Sequence, residues 1–180
     1  MSKNHPEPLL AADPATDHVL GPASARVTLI EYGDFACPAC KEACGAVKIL
    51  LRKYGRQLRF VYRHFPEVEI HPHAELAAEA SEAVSAQGHF WPFHDLLFEH
   101  QENQKDKSLR QYADEVGTDL IRYDHEMRDR IYLQRVQEQS AGARRLGIQS
   151  MPTFFVNGQR VDVSFGWEFL DKAIAQAVLA

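Results

Sequence analysis

Val27-Thr28-Leu29-Ile30-Glu31-Tyr32-Gly33-Asp34-Phe35-Ala36-Cys37-Pro38-Ala39-Cys40 is the stretch from which the fold is read. Its opening residues are β-branched and apolar, and the run is short and closed by Gly33-Asp34, the pattern of a buried central strand. From Pro38 to Tyr54, Ala43, Val47, Leu50, Leu51 and Tyr54 fall at helical spacing, and Gly55 stops the run. Leu58 to Phe65 then alternates as a second strand and ends before Pro66. Strand, helix and strand in this order form a βαβ unit, which predicts that the two strands are parallel.

Outward from this unit the pattern changes. Between about residues 72 and 146 only helical periodicity is found: His73 to Gln87 is alanine-rich and ends at Gly88, Phe90, Phe93, Leu97 and Phe98 mark a second helix, and Ser108 to Val116 a third. Asp119 to Leu146 reads as one long polar helix, or two with a break near Gly142. Thr153 to Val156, the pair Asn157-Gly158, and Arg160 to Val163 are a strong hairpin signal, and Trp167 to Leu179 is an amphipathic helix. The order β-α-β, helical insert, β-β-α predicts an α/β core with a helical subdomain spliced in at about 72–146. Residues 1–21, with Pro6, Pro8 and Pro14 among polar residues, read as an extended arm, leaving 22–180 as the domain.

Cys37 and Cys40 sit where the first strand hands over to its helix, and a Cys-x-x-Cys at such a junction reads as a redox motif. The spacing has a chemical reason. A cysteine at a helix start meets unpaired backbone N–H groups and the positive end of the macrodipole, which favour thiolate over thiol. Pro38 suits the first helical turn because it has no N–H to leave unpaired, and the gap lets Cys40 close a disulfide with Cys37. Cys37 is therefore the expected attacking thiol and Cys40 the resolving one, with the Cys37 pKa below the free-thiol value of about 8.5. The competing reading is a zinc half-site, with Cys44 as a third thiol and a histidine as the fourth ligand; no second Cys or His pair stands at finger-like spacing, and Cys44 is expected to be a buried, inert thiol.

Composition narrows the classes. With 180 residues, 45% hydrophobic and 25% charged, the chain is globular rather than collagen-like or disordered, and three cysteines are too few for a disulfide scaffold. A net charge of −5 gives no basic excess for nucleic acid or an anionic membrane. The run Leu9 to Ala12 is too short for a signal-peptide core, and no transmembrane-length apolar run occurs, so the chain is expected to be cytoplasmic with no membrane insertion.

Four motifs in order, Thr28 to Cys40, Arg63-His64-Phe65-Pro66, Gly88 to Phe98, and Met151 to Gly158, resemble the DsbA-like branch of the thioredoxin-fold oxidoreductases. The entry Asp17-His18-Val19-Leu20-Gly21-Pro22 is similar to that of the thioredoxin-like domain appended to some bacterial sodium/proton antiporters. The resemblance implies a thioredoxin fold and a thiol–disulfide oxidoreductase that needs no cofactor and no metal. Its partners would be protein or small-molecule disulfides or dithiols and a thiol electron donor or acceptor. It implies further that Glu31 is a buried acid exchanging a proton with Cys40, that Pro152 is the cis-proline facing the disulfide, and that substrate lies against Pro38, Ala39, Met151 and Pro152. Ala39 departs from the strongest oxidants of the family, which have histidine there, so a Cys37 pKa of intermediate depression is expected. Two rival readings share the fold: a redox-sensing interaction module, and a glutathione-dependent transferase or isomerase, against which the intact pair argues.

Three further features have structural readings. His71-Pro72-His73 reads as a capping turn into the alanine-rich helix, Trp91 and the neighbouring phenylalanines as the core of the insert. Asp124 with Arg128 and Glu126 with Arg130 read as i, i+4 pairs on a solvated face.

Overall fold

Strand β2 (Val27–Gly33) is the axis of the sheet, because its apolar residues face layers on both sides: Val27, Leu29, Ile30 and Tyr32 are all at most 1% exposed. The computed structural model describes residues 10–180, and the part of the predicted arm before them lies outside the described residues. Five strands follow the order β1-β3-β2-β4-β5, with β1 at His18–Leu20, β3 at Leu58–His64, β4 at Thr153–Val156 and β5 at Gln159–Val161. β2 and β3 run parallel from Val27↔Leu58 to Gly33↔His64, while β4 lies antiparallel to β2 with Glu31 opposite Phe154. Helix α1 (Pro38–Tyr54) makes the crossover between β2 and β3, and α7 (Glu168–Leu179) packs on β2, β4 and β5. The hairpin turns at Asn157 and Gly158, both at positive φ, which matches the right-handed twist of its strands.

Helices α2 (Ala74–Ser85), α3 (Phe90–Glu99), α4 (Asp106–Glu115), α5 (Leu120–Arg128) and α6 (Leu133–Arg145) stand between β3 and β4 in the chain. α2 is their hub: its Ala77, Ala80 and Ala83 are fully buried, and the short side chains let α3, α4, α5 and α6 approach it. The α5–α6 break is not near Gly142, which is buried inside α6, but at Asp129–Tyr132, where Arg130 takes a φ of 49°. No Gly or Pro marks that break. Tertiary contacts hold it, since the Arg130 guanidinium pairs with Glu75 and Glu79 of α2. The two surface pairs read from i, i+4 spacing also differ: Asp124 pairs with Arg110 of α4, and Glu126 with Arg122.

The sheet begins earlier than residue 22. His18–Leu20 pairs antiparallel with β3, and the segment before it is held by Arg63, which bonds both carboxylate oxygens of Asp17 at 2.8 and 2.7 Å and the Ala11 carbonyl at 2.8 Å. Charge pairing in a buried setting orders these residues, where composition alone predicts a loose arm. His18 and His64 both reach Glu82 Oε1 of α2, at 2.6 and 2.9 Å. Burial opposes ionisation of this carboxyl, yet the two histidine bonds hold it well below the usual carboxylate range.

Candidate active site

Cys37 is the N-cap of α1, extended at φ −80° and ψ 121°, with Pro38 in the first turn behind it. It keeps 8% of its surface while Cys40, one turn later, keeps none. The expected attacker is thus less open than a helix start alone implies, because the loop carrying Met151 leans over it: the Cys37 thiol donates to the Met151 carbonyl at 3.6 Å. The Met151–Pro152 peptide is cis, and the Cys37–Met151 contact places Met151, Pro152 and Cys37 at one corner of the fold. Pro38 and Ala39 lie on the α1 side of that corner, with Ala39 exposed.

The two thiols are displaced in opposite directions. A hydrogen bond from Cys40 leads the causes that bring the Cys37 thiol down to about 6; burial works against it, and the Cys40 and Ala39 backbone N–H groups add to it. Burial, then the hydrogen bond given to Cys37, keeps Cys40 a thiol far above the ordinary range. Absorbance titration of the thiolate should therefore show a midpoint near 6 in the reduced protein. Replacing Cys40 by Ala, which removes the first of those causes, should return it toward the free-thiol value of about 8.5. An unchanged midpoint in that variant would assign the depression to the helix start alone.

Glu31 lies on β2 beneath this corner, 1% exposed, and its Oε1 has no hydrogen-bond partner among the described residues. Burial, and secondarily the Cys37 charge, raises its carboxyl to about 8. Tyr62 on β3 leaves its hydroxyl unpaired as well. Gly33 separates the two groups; a Cβ there would stand 2.7 Å from the Tyr62 ring and 3.1 Å from Glu31 Oε1, so only glycine fits between them.

Other polar contacts around the corner are not signalled by any motif. Asp34, 2% exposed, accepts from the backbone N–H groups of Ala36 at 2.7 Å and Glu67 at 2.9 Å and binds His71 Nδ1 at 2.8 Å. The His71 side chain therefore serves the active-site loop, while His71-Pro72-His73 still forms the turn into α2, with the His71 carbonyl accepting from Ala74 N–H at 3.0 Å and no side-chain cap. Gln101 donates to the carbonyls of Phe35 and Cys37 at 2.9 and 2.8 Å, and Gln104 to that of Phe35 at 2.8 Å. By these bonds the helical insert holds the Cys37 loop in place. The insert's aromatic core also reaches the site, with Phe98 5.2 Å from Phe35. Cys44 is buried as expected, but it neighbours His94 and Asp95 rather than an apolar wall alone.

Residues 13–176 match the family model described as Thioredoxin. The chain belongs to the thioredoxin family. It is 43% identical over 169 residues to the Na(+)/H(+) antiporter NhaA 1 of Salinispora arenicola, which covers 94% of this chain but 26% of that protein, so the chain spans about a quarter of that curated relative. Among solved structures, oxidised BdbD from Bacillus subtilis superposes with a TM-score of 0.82 at 23% identity, covering 93% of this chain and 96% of that one. A thioredoxin-like oxidoreductase from Silicibacter pomeroyi gives 0.81 at 28% identity, over 93% and 95%. The DsbA-like thioredoxin fold with its helical insert is thus the fold of this chain. No helix among the described residues is long and apolar enough to cross a membrane.

Proposed function

We propose that this protein is a thiol–disulfide oxidoreductase that exchanges disulfides with protein substrates through Cys37 and Cys40. The observation that carries the reading is the geometry of the pair: Cys37, at the N-cap of α1, keeps exposed surface and meets the Met151 carbonyl, while Cys40 one turn later is fully buried. At neutral pH the Cys37 thiolate attacks one sulfur of a substrate disulfide; a Cys37–substrate bond forms, the substrate S–S bond breaks, and the other substrate sulfur leaves as thiolate. In the molecules whose Glu31 is ionised, a fraction that grows towards pH 8, Cys40 then gives its proton to that carboxylate and attacks the Cys37 sulfur. The Cys37–Cys40 disulfide forms, the second substrate sulfur leaves, and the substrate has gained the two electrons that the dithiol lost. A thiol donor returns the pair to the dithiol, and the same steps run backwards oxidise a substrate.

Substrate would lie across Pro38 and Ala39 on one side and Met151 and Pro152 on the other. Main-chain pairing with Met151 reads extended backbone rather than sequence, which suits many substrates. Met151 adds an adaptable apolar contact. Reduction of insulin disulfides with dithiothreitol as donor tests the reading. Catalysis well above the uncatalysed rate, lost in Cys37→Ser, is expected; a protein that is oxidised and reduced itself but accelerates nothing would be a redox sensor instead.

A further inference from the structure

Among the described residues, two side-chain clusters outside the dithiol bring metal-binding atoms within 4.8 Å of one another, His18–His64–Glu82 and Cys44–His94–Asp95. The first is closed: its three residues are at most 6% exposed and both imidazoles already bond Glu82 Oε1, so an ion has no way in. The second adjoins space. Cys44, His94 and Asp95 line a cavity of about 60 Å³ shared with Lys48, Val47 and Trp91, which is room for an ion and a water.

We propose that Cys44, His94 and Asp95 form a binding site for a divalent cation of the zinc class, separate from the Cys37–Cys40 pair. A thiolate, an imidazole and a carboxylate are the donor types that zinc accepts, and three protein donors leave one position for water. The donors come from two packed helices, Cys44 from α1 and the adjacent pair from α3. His94, 4% exposed, is fixed by rings on several sides, with centroids 5.0 Å from Tyr62, 5.0 Å from Phe98 and 5.2 Å from Trp91. Its Nδ1 is hydrogen-bonded to Asp95 Oδ1 at 3.0 Å, a contact that an entering ion would replace by binding both atoms. Lys48 holds the other oxygen of Asp95 at 2.8 Å, an outer contact that orients the carboxylate. Asp95 is 46% exposed and provides the way in, while Cys44 lies deeper at 8%. On binding, the Cys44 thiol proton passes to solvent and neutral His94 moves its proton to Nε2, so one proton leaves per ion and no electron is transferred.

Titration with Co2+, a spectroscopic stand-in for zinc, tests this in the full chain carrying Cys37→Ser and Cys40→Ser, where Cys44 is the one thiol left. One equivalent should produce thiolate-to-metal absorption that Zn2+ displaces. Adding Asp95→Asn, a half-exposed position whose replacement leaves the core intact, should weaken the affinity at least about 10-fold. Three results would overturn the proposal: no thiolate absorption, equal Zn2+ uptake after Cys44→Ser, or unchanged affinity in Asp95→Asn, the last two meaning an ion held adventitiously elsewhere.

Discussion

Cys37→Ser should abolish disulfide exchange, while Cys40→Ser should leave the first attack possible and accumulate mixed disulfides with substrate. The asymmetry follows from position. Cys37 is the thiol with residual exposure and a pKa brought to about 6, so it is mostly thiolate at neutral pH. Cys40 has no exposed surface and cannot meet a substrate first; its role is to reach back one helical turn and release what Cys37 has captured. The two variants therefore fail at different steps. Cys40→Ser keeps a hydroxyl that can donate to the Cys37 sulfur, so its adducts should form at close to the rate of the parent's first step. Non-reducing electrophoresis after incubation with a disulfide-bonded substrate reads both outcomes. Adducts on Cys37→Ser and none on Cys40→Ser would reverse the roles.

How much of this is legible in the sequence depends on whether local pattern or distant contact decides each feature. β2, α1, β3, the Asn157-Gly158 hairpin and α7 each carry periodicity and stop signals within their own residues, and they stand where those signals put them. β1 does not: three residues are too few for a period, and the strand exists because Arg63 and Glu82 hold Asp17 and His18 from distant segments. The α5–α6 break likewise depends on a guanidinium reaching α2. The same division runs through the site. Cys37 and Cys40 are visible as a pair with a spacing. Gln101, Gln104 and His71 act on the Cys37 loop from segments far along the chain, and a polar residue in a loop carries no mark of the carbonyl or carboxylate it will bind. Cys44 reads as inert because helical spacing places it on the core side, and that spacing says nothing of the His94–Asp95 pair on the facing helix.

Glu31→Gln should slow turnover, flatten its pH profile, and stabilise the reduced protein at alkaline pH. The carboxyl titrates near 8 in the fold, against 4.5 for the unperturbed group, because burial disfavours its charge and the Cys37 thiolate adds repulsion. Its folded pKa is raised, so the native state holds the proton more tightly than the unfolded chain. Below pH 4.5 both states are protonated and Glu31 costs nothing through ionisation. Between 4.5 and 8 the unfolded chain ionises and the native state does not, so stability falls steadily; above 8 both are ionised and the loss is complete. Each pH unit between the unfolded and folded values costs about 1.4 kcal/mol, which makes the full loss on the order of a few kcal/mol. Glutamine, similar in shape and uncharged, removes that loss, so denaturant unfolding of the variant should match the parent near pH 4 and exceed it increasingly up to pH 8. Activity should move the other way. Through the range in which Glu31 titrates, part of the population holds the carboxylate that can take the proton of the equally buried Cys40. Glutamine cannot accept it, so resolution of the mixed disulfide should slow, and the limb of the rate profile near pH 8 should disappear while the Cys37 thiolate still forms. A variant that gains alkaline stability but keeps the parent's pH–rate profile would make Glu31 a buried charge without a part in proton transfer, and would leave Cys40 to lose its proton directly to solvent.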